Sequence, residues 1–210
     1  PVEQPQPDPP RPEQPRHPTR RIRRAIELYP WQVRALGQWR RQSARGVVEA
    51  VTGAGKTRLA LQAMLDRQRI LMLAIQTAQG PYAGLLPFVP VADRSAVLVH
   101  ASKLARHTQS LTPGAHAGIL VHEQDGPDKD PLQIERLMFD CTVQPLERKS
   151  AEWETGRDLY LARFPDSRVT FGLGDFTLFR LQFVAGTYVA GFGRAMDIEP
   201  QDIRRLAESA

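Results

Sequence analysis

The segment ERLMFDCTV at residues 135–143 decides the fold class, because its side chains alternate between two sets. One set is apolar and comprises Leu137, Phe139, Cys141 and Val143. The other is mostly polar and comprises Arg136, Met138, Asp140 and Thr142. A period of two places each set on its own face of a β-strand. The segment FTLFRLQFV at residues 176–184 has a similar one-sided face in Phe179, Leu181 and Phe183, so both segments predict half-buried strands.

Short strands dominate the chain after residue 69, with two helices between them. The predicted strands are Ile70–Thr77, Pro81–Val91, Ser95–Ala101, His116–His122, Glu135–Val143, Phe176–Val184 and Thr187–Phe192. Turns are expected where glycine, proline and aspartate cluster, including Ala185–Gly186. The predicted helices cover Lys103–Leu111 and Arg148–Phe164. This pattern indicates a mainly β (α+β) fold, a small antiparallel barrel of six to seven strands with two or three helices.

Composition narrows the class of protein. The chain has 210 residues, of which 41 % are hydrophobic and 24 % are charged, so it can bury a core. A single cysteine, Cys141, excludes an internal disulfide framework and a cysteine-rich zinc site. No apolar run reaches the roughly 18 residues needed to cross a bilayer. These features favour a soluble, cytoplasmic protein without a targeting leader.

The first quarter of the chain carries the whole net charge of +5. Residues 1–50 contain 10 Lys and Arg against 5 Asp and Glu, whereas residues 51–210 contain 18 of each. Such a basic segment can attract nucleic acid or serve only as a solvated tail. The predicted organisation is a disordered Pro-rich tail at 1–20, an N-terminal fragment at 21–62, a barrel domain at 63–198 and a helical tail at 199–210.

The sequence AVTGAGKT at residues 50–57 has the pattern of a phosphate-binding loop. In such a loop, backbone N–H groups surround phosphate at a helix start, the lysine reaches the terminal phosphates and the threonine binds magnesium. This segment and the upstream LYPWQVRAL resemble the nucleotide-binding segments of superfamily 2 helicases. The resemblance implies Mg-ATP binding by Gln32, Gly53, Ala54, Gly55, Lys56 and Thr57.

ATP hydrolysis needs acidic residues that are not recognisable in this sequence. An acidic pair for magnesium and water should follow a second strand. The nearest apolar run, GILVHE at residues 118–123, lacks the Asp-Glu pair and fits a barrel strand better. ATP hydrolysis is therefore not expected, and no metal site is predicted apart from Thr57 with Mg-ATP. Binding of ATP or nucleic acid stays open as an alternative function.

Six segments from residue 67 onward carry a second resemblance. They are RQRILMLAIQ, GPYAGLLPFV, VLVHASKLARHTQSL, IERLMFDCTVQPLE, RFPDSRVTFGLGDFTLFRL and YVAGFGRAMDI. Together they resemble the pyridoxamine 5'-phosphate oxidase-like FMN-binding split-barrel superfamily, and within it the haem-utilisation (HugZ-type) branch. The resemblance implies a split barrel over about residues 62–198, an FMN cofactor, a homodimer and an oxidoreductase of unknown substrate. Haem is the alternative cofactor.

A flavin phosphate needs cationic and hydroxyl donors near a helix start. The residues that meet this need are Ser102, Arg106, His107 and Thr108, which lie where a strand passes into a predicted helix. The resemblance implies that Arg106 and His107 hold the phosphate. Ser102 and Thr108 have the alternative role of helix caps.

The resemblance implies further flavin contacts outside this cluster. His100 and Ala101 would lie along the isoalloxazine ring, and Arg136 would contact the flavin from the polar face of its strand. Arg194 would approach from the partner subunit. The structural alternatives are an ordinary half-buried histidine for His100 and for His107, a solvated helix residue for Arg106, and an ion pair or turn residues for Arg194 with Asp175.

Two features depart from the family pattern. The family has an arginine two positions after the tyrosine of the Pro-Tyr pair, where this chain has Gly84. No histidine follows His122, so the obvious axial ligand for haem is missing. Because no acid–base pair or nucleophilic triad stands out, the catalytic residues are not identified, and a non-enzymatic barrel is a third alternative.

Overall fold

The computed structural model describes residues 56–198, together with Arg34, Gly37 and Arg41. The helices are α1 (Lys56–Arg67), α2 (Ala151–Arg163) and the single turn α3 (Arg168–Phe171). The strands are β1 (Ile70–Thr77), β2 (Gly80–Pro90), β3 (Ala96–Ser102), β4 (His116–His122), β5 (Arg136–Pro145), β6 (Phe176–Val189) and β7 (Ala195–Ile198). Short 3-10 turns cover Arg106–Ser110, Pro131–Gln133 and Pro165–Ser167.

Six of the strands close into an antiparallel barrel. Their order in the sheet is β3-β2-β1-β4-β5-β6-β7, and β3 also pairs with β6, which closes β1 to β6 on themselves. The long strand β6 pairs with β3 through its first half and with β7 through its last residues. A register shift opposite Asp140 and Cys141 marks the change of partner. The predicted mainly β barrel of six to seven strands is therefore confirmed.

The barrel core consists of the alternate residues that the sequence pattern indicated. Every second side chain of β1 is buried, beginning at Leu71, and the predicted apolar face of β5 is buried throughout. The Phe139 and Phe183 rings stack inside the barrel with centroids 3.9 Å apart. Met64 and Leu65 of α1 join this core, so the helix packs on the barrel.

A second core lies on the outer side of β3, under α2 and α3. It contains Leu98 of β3, Leu178 of β6, and Trp153, Tyr160 and Phe171 from the helices. Strand β3 is buried on both faces, and its residues Ala96–Val99 are continuously apolar, as expected for a doubly covered strand, before the buried His100. Helix α2 begins after Ser150, whose side chain accepts a hydrogen bond from Trp153 N at 3.1 Å.

Three predicted elements were wrong in extent or type. Phe176–Val184 and Thr187–Phe192 form one continuous strand that ends at Val189, without a turn at Ala185–Gly186. A Cβ on Gly186 would lie 2.6 Å from Phe139 Cδ1, so this glycine permits close packing rather than a turn. The predicted helix Lys103–Leu111 is only the 3-10 turn Arg106–Ser110. Strand β7 was not predicted, because its four residues AMDI show no clear alternation.

Several predictions fall on residues outside the described ranges. They include the Pro-rich tail at 1–20, the helical tail at 199–210, and the residues Gln32, Gly53, Ala54 and Gly55 that the helicase resemblance implies for Mg-ATP binding. Lys56 and Thr57 begin α1. Within the described residues, no helix is long and apolar enough to span a membrane.

Candidate functional site

The 3-10 turn Arg106–Ser110 carries three of the four predicted phosphate donors and packs beside Tyr82 of β2. The Arg106 Cζ atom lies 4.8 Å from the centroid of the Tyr82 ring. The His107 ring lies 6.4 Å from the same centroid and is tilted by only 18°. Tyr82 therefore organises two of the four predicted donors. Sequence reasoning missed this role, although Tyr82 stands in the quoted segment GPYAGLLPFV.

His107 is half-buried between the turn and β2. Burial lowers the pKa of its imidazole from the ordinary value of 6.5, so the ring is neutral at pH 7. Its Nε2 atom is enclosed and has no hydrogen-bond partner among the described residues, and the same holds for Thr108 Oγ1. An enclosed polar atom without a partner destabilises the fold until a ligand, water or another chain supplies the bond.

Ser102 is committed to a different task. Its hydroxyl donates to Asp175 Oδ2 at 2.6 Å and accepts from Leu104 N at 3.1 Å. The backbone strengthens the link, because Lys103 N donates to Asp175 O at 2.7 Å. Ser102 therefore holds the end of β3 to the start of β6 and organises the turn that delivers Arg106.

His100 and Ala101 lie on opposite faces of β3. Ala101 faces the barrel core and is 3 % exposed, whereas His100 is 8 % exposed and lies in the second core. The His100 ring stacks on Phe171 with centroids 3.9 Å apart, and Thr170 Oγ1 lies 3.3 Å from its Nδ1 atom. Burial, with a smaller effect of Arg148, lowers the pKa of His100 to about 4. The structure does not bring His100 to the Arg106 turn.

Arg136 and Arg194 also lie apart from the Arg106 turn within one chain. In the sheet register Tyr82 pairs with Ile75, Ile75 with Ala117, and Ala117 with Cys141. Tyr82 and Cys141 therefore lie at the same level of the sheet. Arg136 precedes Cys141 by five positions on β5. That offset corresponds to about 17 Å along the strand. Arg194 is in the β6–β7 connection, where its guanidinium donates to Ala190 O at 2.5 Å.

The outward face of β2, β1, β4 and β5 forms two shallow depressions of about 540 and 660 Å³. The shared floor consists of Ala83, Ala74, Gly118 and Asp140, which the strand register aligns in one row. A parallel row two residues away consists of Leu85, Met72, Leu120 and Met138. His116 and Gln76 line the smaller depression. Among residues 56–198, no three His, Cys, Asp or Glu side chains are grouped to hold a metal ion.

Comparison with known proteins decides the family. The chain is 32 % identical over 142 residues to the haem oxygenase HutZ of Vibrio cholerae serotype O1, covering 66 % of this chain and 78 % of the relative. This chain belongs to the HutZ-type branch of the pyridoxamine 5'-phosphate oxidase-like split-barrel family. No family model matches the chain.

Solved structures of the HutZ type and of the wider family have the same fold. The crystal structure of HutZ, described as a haem storage protein from Vibrio cholerae, is 29 % identical with a TM-score of 0.54, over 60 % of this chain and 88 % of that one. A haem-binding protein from Mycobacterium smegmatis has a TM-score of 0.60 at 20 % identity, over 75 % of this chain and 62 % of that one. A pyridoxinephosphate oxidase family protein from Clostridium acetobutylicum has a TM-score of 0.52 at 13 % identity, over 70 % and 97 % respectively.

Proposed function

We propose that this split-barrel protein binds FMN and is an oxidoreductase whose substrate is not yet identified. The observation that carries the proposal is the 3-10 turn on Tyr82, where the Arg106 guanidinium and the His107 ring both lie against the Tyr82 ring and Thr108 follows in the same turn. The enclosed atoms His107 Nε2 and Thr108 Oγ1 have no hydrogen-bond partner among the described residues. A guanidinium, an imidazole and a hydroxyl form a donor set that suits a phosphate dianion.

The roles of this chain's own residues follow from that arrangement. Arg106 is exposed and supplies the positive charge, while Tyr82 holds its guanidinium in place by a cation–π contact. His107 is neutral at pH 7 and contributes a hydrogen bond rather than a charge. The Ser102–Asp175 bond orients the turn. Bound flavin would supply the redox chemistry, and the protein would supply binding and orientation.

The test compares FMN with riboflavin, which lacks the phosphate. Fluorescence titration of the full chain should show tighter binding of FMN, and Arg106→Ala should weaken FMN binding by at least about tenfold, the size of a charged hydrogen bond. The same variant should leave riboflavin binding unchanged. The control Arg168→Ala removes an exposed arginine on α3 and should change neither ligand. Equal binding of FMN and riboflavin by the unmodified protein would contradict the phosphate site.

Haem is a second candidate, because the relative at 32 % identity is named a haem oxygenase. In the described part of the chain, His116 is an exposed imidazole that lines the smaller depression on the outward sheet face. Imidazole is a common axial ligand of haem iron. Titration with haemin should then give a saturable Soret shift that His116→Ala removes. No saturable shift would leave FMN as the remaining candidate.

We also propose that two copies associate through the outward sheet face. The row Leu85, Met72, Leu120 and Met138 presents apolar side chains across four strands, with Met72 38 % and Leu85 67 % exposed. Apolar patches of this kind mark interaction sites on soluble proteins, and a two-fold axis makes one such patch self-complementary. Light scattering should give a dimer that Met72→Glu dissociates and that the control Val169→Glu on α3 leaves intact. A monomeric unmodified chain at micromolar concentration would refute it.

A further inference from the structure

The His107 ring occupies the space that a side chain on Gly84 would need. A Cβ placed on Gly84 would lie 3.2 Å from His107 Nδ1, 3.6 Å from Cε1 and 3.7 Å from Cγ. All three nearest atoms therefore belong to one imidazole ring. The contact is made possible by the absence of a side chain at position 84.

Tyr82 and the backbone of the 3-10 turn also restrict the position of the His107 ring. Tyr82, two residues before Gly84, lies nearly parallel to the imidazole at 6.4 Å. The turn that carries the ring is closed by two backbone hydrogen bonds, Thr108 N to Ala105 O at 3.0 Å and Leu111 N to Thr108 O at 3.1 Å. A group added at Gly84 would therefore push the ring, and the turn with it, away from β2.

We propose that Gly84 is a positioning residue for the phosphate site, because it lets His107 lie on β2 and thereby aligns the donors of the Arg106–Thr108 turn. The expected effect of Gly84 on FMN affinity rests on the proposed function. The placement of the ring itself does not depend on the ligand. Burial at this position lowers the pKa of His107, in keeping with a ring held against β2.

The size of the expected effect follows from the distances. A carbon 3.2 Å from a ring nitrogen is closer than ordinary van der Waals contact, so a methyl group at position 84 displaces the ring by a few tenths of an ångström. Hydrogen bonds weaken steeply with misalignment. Gly84→Ala should thus raise the FMN dissociation constant about fivefold, close to the loss of one neutral hydrogen bond.

A double-mutant cycle on the full chain separates positioning from general damage to the strand. Gly84→Ala should weaken FMN binding when His107 is present and have no effect in a His107→Ala background. If Gly84→Ala fails to fold, the second substitution should restore folding by removing the ring. An equal loss of affinity or of folding in both backgrounds, or no loss in either, would overturn the proposal.

A measurement on the ligand-free protein tests the same point without FMN. The imidazole nitrogen signals of His107 in NMR spectra should shift in Gly84→Ala. They should stay in place in the control Gly118→Ala, whose added Cβ meets Ala74 at an ordinary 3.7 Å. Unchanged His107 signals in Gly84→Ala would refute the positioning role. If those signals shift but the unmodified chain does not bind FMN, the proposed function is wrong. The placement of His107 by Gly84 is then still supported.

Discussion

Ser102 Oγ donates a 2.6 Å hydrogen bond to Asp175 Oδ2, across 73 positions of sequence. The bond joins the end of β3 to the residue before β6, and Lys103 N adds a second bond to Asp175 O at 2.7 Å. Residues 103–105 form a turn, in which Ala105 N donates to Ser102 O at 3.1 Å, where the sequence predicted a helix from Lys103. The 3-10 turn that carries Arg106 begins just after these two bonds to Asp175. We call the two bonds the Asp175 anchor, and it fixes the position of the Arg106 guanidinium.

Removing this anchor should affect both the fold and the ligand. Asp175→Ala leaves the Ser102 hydroxyl without its acceptor, and we expect a loss of about 1–2 kcal/mol in the free energy of unfolding. FMN affinity should fall as well, because the Arg106 turn loses its fixed start. Thermal denaturation and FMN titration measure the two effects.

The matched control for the anchor is Asp158→Ala. Asp158 is an exposed carboxylate on α2 whose ion pair with Arg157 lies at the surface. Surface pairs contribute little to stability, so both readouts should stay near those of the unmodified chain. An Asp175→Ala variant that behaves like this control would show that the 2.6 Å bond does not organise the turn.

Acid should destabilise the fold through His100. Its pKa falls from 6.5 to about 4 on folding, because burial disfavours the charged ring. The unfolded chain therefore binds the proton first, and stability is lost as the pH falls from about 6.5 through 4, by an amount on the order of 3 kcal/mol. His100→Phe keeps a ring against Phe171 but removes the proton, so its denaturation midpoint should depend less on pH over this range.

The comparison for this prediction is an exposed histidine. His122→Gln removes an imidazole at the end of β4 and should keep the pH dependence of the unmodified chain. Half-buried His107 contributes in the same direction, because its pKa is also lowered. If His100→Phe and His122→Gln had the same slope of stability against pH, the buried position of His100 would be disproved.

Gly186 should tolerate no side chain. A Cβ there would overlap the Phe139 ring, at 2.6 Å from Cδ1, and that ring is itself fixed by stacking on Phe183. Overpacking of this kind costs about 1–3 kcal/mol, so Gly186→Ala should lower the denaturation midpoint clearly. Adding Phe139→Leu should recover part of the loss. Gly174→Ala, where no atom lies within 4 Å of the added Cβ, should have almost no effect.

Local patterning was enough to predict most of the barrel. The alternation of residues 135–143 assigned the buried face of β5, and His116–His122 and Ile70–Thr77 have the predicted bounds. Helix α2 begins three residues later than predicted and ends one earlier. Such elements follow from the sequence because a period of two or of 3.6 is a property of neighbouring residues.

The candidate site was predicted only as a set of residues in one segment. Sequence placed Arg106, His107 and Thr108 together, since they are consecutive, and Ser102 near them. It did not reveal that Ser102 bonds to Asp175, or that Tyr82 and Gly84 of another strand support the donors. Those contacts depend on which strands become neighbours, and no local period encodes that.

What the sequence by itself determined was the secondary-structure type of its strongly periodic segments and the family, through the six quoted segments. The tertiary structure alone decided which strands pair with β6, that Gly186 serves close packing rather than a turn, and that His100 is buried. A glycine in a strand looks the same as a glycine in a turn until the Phe139 ring occupies the space above it. Likewise His100 alternates correctly on β3, but only the packing of α2 and α3 makes its outward face a core.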